Sequence, residues 1–260
     1  METWQDILLQ MRPISLDEMS AIKLMNRIDT KYIANIDFLP RILQQAKERG
    51  YYAQEIDHKR VAEYDTLYFD TTNLDMFVMH HNRHLRRQKI RIRKYIGSDL
   101  TFLEVKNKTN TGRTKKKRRQ IFEGDFPSNL TADLASMPDV QQFILDKSVF
   151  DVDTLQPQLS TRFKRITLVN GGHTERLTID LSLQWENKQT GRTKCFEKLM
   201  VIELKQDGLV SSEMKDILLG MHIHPCKMSK YCIGVTLTNP IAKHNRFKQK
   251  IRKIKKITER

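Results

Sequence analysis

The sequence predicts an α+β fold in which a mainly antiparallel sheet curls into a β-barrel with helices packed on its outside. Three observations carry this expectation. Segments of period 2 dominate the chain, they do not alternate with helices as a parallel sheet requires, and many of them set aliphatic residues on one face against charged residues on the other. An aliphatic face covered by helices leaves the charged face either open to water or wrapped around a hydrated interior, and curling gives the second.

The elements follow from local signals. Ser15 with Glu18 three residues on is a capping box, which predicts a helix over SLDEMSAIKLMNR. A second amphipathic helix runs from Asp37 to a stopping Gly50. Strands are expected at 27–34, 63–70, 88–95, 100–108, 115–123, 162–169, 175–185, 198–206 and 229–237, and further helices at 73–81, 130–147 and 212–221. NGGH (170–173) and NKQTGRTK (187–194) read as hairpin turns.

With no internal repeat and no Ser/Gly/Pro linker, residues 1–240 are expected to form one domain and 241–260 a basic C-terminal tail. From Lys243 onward the tail holds nine Lys or Arg against one acidic residue. At helical spacing Phe247, Ile251 and Ile254 share one side, which suits an anionic surface such as a membrane or a membrane partner, or a helix that packs a few apolar residues.

A hydrophobic fraction of 39% is that of a folded protein, and a net charge of +15 calls for an anionic partner. Cys195, Cys226 and Cys232 form no C-x-x-C pair and leave an odd thiol, which fits a reducing compartment. No apolar run is long enough to cross a bilayer and the N-terminus lacks a signal pattern, so the expected location is cytoplasmic, with the tail allowing a place at the membrane periphery.

The charged faces are specific. In KIRIRKY, Lys89, Arg91 and Arg93 share one face of a strand; in FLEVKNK, Glu104, Lys106 and Lys108 share one face of the next. Arg27, Asp29 and Lys31 do the same in RIDTKY, while Arg165 alternates with Ile166 and Leu168. Solvated, edge-protecting charge is one reading of such faces. Closely spaced arginines with isolated acids among them favour the other, multidentate phosphate recognition.

DTKY (29–32), YDTLYFDT (64–71), KIRIRKY (89–95), FLEVK (102–106), GRTKKKRR (112–119), RLTID (176–180), VIELK (201–205) and SKY (229–231) occur in the order found in VTC-type polyphosphate polymerase domains. The chain resembles a bacterial member of that family, within the CYTH-like triphosphate tunnel metalloenzymes, over roughly residues 22–238. The resemblance implies an antiparallel barrel forming a triphosphate tunnel, and a metal-dependent phosphotransferase that passes the γ-phosphate of ATP to a growing polyphosphate chain. Carried over by position, the phosphate-binding and catalytic cations are Lys31, Arg91, Arg93, Lys106, Lys117, Arg165 and Lys230. The metal ligand is Glu203, with Glu104 or Asp180 as helper, and the metal Mn²⁺ or Mg²⁺.

The chain departs from the wider superfamily where Arg27 and Asp29 replace the glutamates of the opening strand, and from eukaryotic polymerases where Phe163 replaces a Tyr two residues before the tunnel Arg. Three functions stay open: a polyphosphate polymerase, a tripolyphosphatase or nucleoside triphosphatase in the same tunnel, and a polyphosphate-binding module without catalysis. His222, His224 and Cys226 in MHIHPC match no common zinc spacing and read as an irregular loop. The GRTK runs lack interleaved aromatics, which argues against a nucleic-acid partner.

Overall fold

A computed structural model describes residues 2–22, 27–98, 100–121, 137–208 and 210–259. The chain opens with α1 (Trp4–Gln10), β1 (Arg12–Ile14), α2 (Leu16–Ala21), β2 (Arg27–Asn35), α3 (Leu39–Glu48), β3 (Tyr52–Gln54), β4 (Ala62–Asp70) and α4 (Asp75–His81). β5 (Arg87–Ile96), β6 (Thr101–Lys108), β7 (Thr114–Ile121) and α5 (Pro138–Lys147) come next. β8 (Gln156–Val169), β9 (Glu175–Asn187), β10 (Thr193–Phe196), β11 (Leu199–Asp207), α6 (Glu213–Gly220), α7 (Lys230–Thr238) and α8 (Lys248–Thr258) complete it. The capping box at Ser15 forms as the sequence predicts, although α2 stops at Ala21; residues 23–26 and 122–136, into which the expected first helix, the strand at 115–123 and the helix at 130–147 extend, lie outside the described residues.

One large sheet organises the molecule, with strand order β2, β11, β9, β8, β4, β5, β6, β7 and antiparallel pairing throughout that path. The expected closed barrel is not formed: β2 and β7 end the path and do not pair with each other among the described residues. Two features of the edges account for this. The loop before α7 occupies the free edge of β2, where Pro225 bridges Tyr32 and the Cys226 amide donates to the Lys31 carbonyl at 2.6 Å. β7, TKKKRRQI, is a row of cations that would be driven against the cationic face of β2 on closure.

The sheet is nevertheless strongly curled, and the alternation of its strands divides it into layers. On the convex side Ile166, Leu168, Ile179, Leu181, Ile202 and Leu204 pack beneath α1, α3 and α6. Farther along the same side Leu67, Ile90, Ile92, Leu103 and Val105 pack beneath α5. The concave side carries charge at its centre and an apolar plug at one end, where Leu159, Leu183 and Trp185 meet α7 and α4.

The expected strand at 229–237 is the helix α7. Its residues Tyr231, Cys232, Ile233 and Val235 are all buried, and Ser229 caps the helix by accepting from the Cys232 amide. A helix surrounded by core has no polar stripe, so the periodicity that marks a surface helix is absent. β1, β3 and β10 are short strands that the period-2 pattern did not mark. Residues 245–258, within the expected tail, fold against the body: Phe247 and Ile254 are buried beside Phe77, and the Asn35 side chain donates to the Ile257 carbonyl at 2.9 Å.

Candidate active site

The concave face forms a cavity of about 840 Å³ whose lining comes from β2, β4, β5, β6, β7, β8, β9, β11 and the start of α7, with α2, β3 and α4 contributing at its margins. Register builds it. Arg91 stands opposite Glu104, Glu104 opposite Arg118, Lys106 opposite Lys89 and Lys116, Lys31 opposite Glu203, and Arg165 opposite Asp180. Directly paired residues share a face, so the charged sets of separate strands meet in one cleft.

Of the residues expected from the sequence, Lys31, Arg91, Arg93, Lys106, Arg165, Lys230, Glu203, Glu104 and Asp180 all line this cleft. Lys117 does not. It pairs with Val105 and is exposed on the convex side, while its neighbours Lys116 and Arg118 face inward. The correction is one of parity: successive side chains of a strand point to opposite faces, and the β6–β7 register selects the even-numbered cations. Lys89, Lys205, Arg176, Tyr68 and His80 also line the cleft, and alternation placed Lys89 beside Arg91 without naming it as a site residue.

Two carboxylates are already committed to cations. Glu104 is fully buried and accepts from Arg91 Nε at 2.7 Å and Lys116 Nζ at 3.2 Å. Asp180 accepts from Arg165 Nε at 2.6 Å and Nη2 at 2.9 Å, and from Lys230 Nζ. Burial opposes ionisation of both, but the neighbouring cations prevail and hold each well below the usual carboxylate range.

The cations show the converse. Lys106 is pushed well below its ordinary value, first by the charge of Arg91 and then by burial. Burial, Arg91 and Arg165 lower Arg93 to about 10, and among the described residues no carboxylate pairs with it; Arg93 Nε donates to the Thr66 hydroxyl at 3.3 Å. Asp180 carries one negative charge between two cations, so one proton is in excess. The guanidinium of Arg165 retains its own, and burial together with the Arg165 charge drops Lys230 to about 7.

Phe163, which has no hydroxyl to offer, presents a ring face to the cations of the cleft. Lys230 Nζ lies 3.4 Å from the ring centroid and the Arg165 and Arg93 guanidinium carbons at 5.3 and 5.8 Å. Tyr64 stacks on Phe163 at 5.2 Å and lies 5.1 and 5.3 Å from the Arg165 and Arg93 guanidinium carbons, so the aromatic pair holds the cations in position by its quadrupoles.

Glu203 differs from the other two acids. Among the described residues its nearest cations are Lys31 at 3.6 Å and Lys205 at 4.0 Å, beyond hydrogen-bond distance. Burial works against its charge, but Lys31, Lys205, Arg165 and Lys106 keep it ionised, at about 2. Among the described residues no group of three or more His, Cys, Asp or Glu could hold a metal, and His222, His224 and Cys226 form no such group. One ionised carboxylate facing a cleft of this charge fits a hard divalent cation that takes its remaining oxygens from a phosphate ligand, and does not fit an all-protein metal cage.

The fold and the cleft together define an open, curled antiparallel sheet that is aliphatic outside and lined with cations within. The chain belongs to the VTC domain family, whose family model matches residues 26–239. Among solved structures, HpAC1 from Hippeastrum, described as having a dominant triphosphatase activity, matches with a TM-score of 0.53 at 16% identity, covering 82% of this chain and 96% of that chain. PH1819 from Pyrococcus horikoshii OT3 matches at 14% identity and a TM-score of 0.43, covering 79% of this chain and 95% of that one. At these identities the first likeness bears on the fold alone and the second carries no argument. No curated protein sequence matches the chain.

Proposed function

We propose that the protein is a metal-dependent polyphosphate polymerase that binds ATP through its triphosphate in the concave cleft and transfers the γ-phosphoryl group to the end of a polyphosphate chain. The observation that carries this reading is the surplus of positive charge. Arg93 and Lys106 line the cleft with, among the described residues, no carboxylate paired to either, and the mutual repulsion that together with burial depresses them is relieved when a linear polyanion enters.

Phosphoryl transfer asks a protein chiefly for in-line placement and neutralisation of charge. Arg91, Arg93 and Arg165, anchored by Glu104, Asp180 and the rings of Tyr64 and Phe163, are pre-organised donors for phosphate oxygens. Glu203 is the residue that would hold Mn²⁺ or Mg²⁺, and a metal bound there supplies Lewis-acid polarisation of the phosphoryl oxygens. His80 lines the cleft but is held neutral, at about 2, mainly by burial and then by surrounding cations, so it is a weak proton acceptor. A terminal phosphate oxygen is already ionised and needs no base, whereas attacking water benefits from one. That asymmetry favours polymerase over hydrolase.

Hydrolysis of tripolyphosphate or a nucleoside triphosphate in the same cleft is the second reading, favoured by the fold likeness to a protein with a described triphosphatase activity. Incubation with ATP and Mn²⁺ separates them: a growing anionic polymer supports the polymerase, and stoichiometric orthophosphate without polymer overturns it. Glu203→Gln should abolish either activity while leaving tripolyphosphate binding largely intact. Normal turnover of that variant in Mn²⁺ would show that the metal ligand lies elsewhere.

A further inference from the structure

Residues 240–259 lie beyond the family match, and Phe247 among them packs beside His80, a residue of the cleft lining. Phe247 is buried with its ring centroid 5.8 Å from that of Phe77, 6.3 Å from His80 and 5.6 Å from His81. Arg246 Nη1 donates to the His81 carbonyl at 3.4 Å, and Lys250 Nζ lies 5.6 Å from the Phe247 ring. His80 itself lines the cleft beside Arg87, Lys89 and Lys108.

His80 therefore marks a junction where cations from three elements converge. After burial, the charges that act on its ring belong to Lys89 and Arg87 of β5, Lys250 of α8 and Lys108 of β6. Its Nδ1 atom is buried and has no hydrogen-bond partner among the described residues. Arg246 lies in the 3₁₀ turn Asn245–Phe247 that runs straight into α8, and Lys250 and Lys253 of α8 follow it four and seven residues on, so the three lead away from the junction along one flank of this turn and helix.

We infer that Arg246, Lys250 and Lys253 form an external track for the part of a long inorganic polyphosphate chain that extends out of this end of the cleft. The inference rests on the proposed phosphate-chain reading of the cleft. A thread, unlike a planar surface, can reach both the recessed Lys89 and the outer flank of α8. The apolar side of α8 is consumed in packing, since Ile254 is buried and Ile251 and Ile257 pack against the same core, so no hydrophobic stripe remains for insertion into lipid.

The test compares the full chain with the variant Arg246→Gln/Lys250→Gln/Lys253→Gln, which keeps the apolar seam, and with a control, Arg41→Gln/Lys59→Gln/Arg192→Gln, that removes three exposed cations outside the cleft. Each is titrated with tripolyphosphate and with long-chain polyphosphate at equal ionic strength. The track variant should lose about tenfold or more in affinity for the long chain, because the second contact raises avidity, and keep its affinity for tripolyphosphate. Its dependence of long-chain affinity on salt should also be shallower. Unchanged long-chain affinity, equal loss for both ligands, or the same loss in the control overturns the track alone. Track-dependent retention on phosphatidylcholine–phosphatidylserine vesicles with unchanged long-chain affinity would make the flank a membrane contact and overturn it too. Failure of the unmodified chain to bind tripolyphosphate overturns the cleft reading and the track with it.

Discussion

Arg91 and Arg93 stand two residues apart on one face of β5 in opposite electrostatic circumstances. Arg91 is buried against Glu104, whose side chain is 1% exposed, whereas Arg93 has aromatic rings and other cations around it. Arg91→Gln should therefore abolish turnover and also destabilise the fold by about 3 kcal/mol, as removal of one partner of a buried pair does. Arg93→Gln should abolish turnover with a melting temperature unchanged or raised. Urea or thermal melts of the two variants decide the matter, and equal destabilisation would show that pairing with Glu104 is not what separates them.

Lys230 gives the cleft a pH dependence near neutrality. Its folded value, about 7, lies below the ordinary lysine value of 10.5, so the unfolded chain binds this proton more tightly. Stability should accordingly rise with pH between about 7 and 10, by at most about 1.4 kcal/mol per pH unit for this group. Lys205, lowered to about 8 chiefly by burial, adds in the same direction. An entering phosphate chain reverses the repulsion, so tripolyphosphate should bind with proton uptake at about pH 8 and more weakly as pH rises further. Calorimetry in two buffers of different ionisation enthalpy measures the uptake; it should diminish in Lys230→Met, and its absence in the unmodified protein would refute the assignment.

At the scale of elements, α7 is the part that brings Lys230 to the cleft. Gly234 lies where a Cβ would meet Trp185 Cδ1 at 2.3 Å and Leu159 Cδ2 at 2.5 Å, so the helix seats directly on the sheet only because that position lacks a side chain. Gly234→Ala should cost about 1–3 kcal/mol by overpacking, and it should also lower turnover by shifting Lys230 from Asp180 and the Phe163 ring. An alanine variant with wild-type stability and turnover would mean that α7 has room to shift without consequence. The sequence of this helix, YCIGVTLT, is rich in β-branched residues and reads as a strand. Burial on all sides, not propensity, made it helical.

For the whole molecule, charge repulsion in the empty cleft predicts strong stabilisation by an anion that fits it. At 100 times its dissociation constant, tripolyphosphate should add about 2.7 kcal/mol, or roughly 5–10 °C for a chain of this size. Sulfate at equal ionic strength should give much less, and equal effects of the two would count against a phosphate-chain site. Truncation before Lys243 should now destabilise the body, because it uncovers Phe77 and removes the buried Phe247 and Ile254, a loss of about 3–6 kcal/mol of apolar burial. A truncated chain that melts like the full one would return residues 243–259 to the role of a free tail.

The sequence by itself determined which residues could form a charged interior. Period-2 alternation in KIRIRKY, FLEVK, VIELK and RITLV fixes which side chains share a face, and that face is a local property of an extended backbone. Tertiary structure decided how the faces meet. The register of β6 against β7 brings Lys116 and Arg118 into the cleft and leaves Lys117 outside; the Pro225 bridge to Tyr32 and the cations of β7 keep the sheet open; and the packing of α7 on Trp185 turns a strand-like segment into a helix that delivers Lys230. The approach of α8 to His80 is likewise a product of packing between segments about 170 residues apart. Alternation needs only neighbouring dihedral angles, whereas register, edge capping and burial depend on contacts between distant parts of the chain.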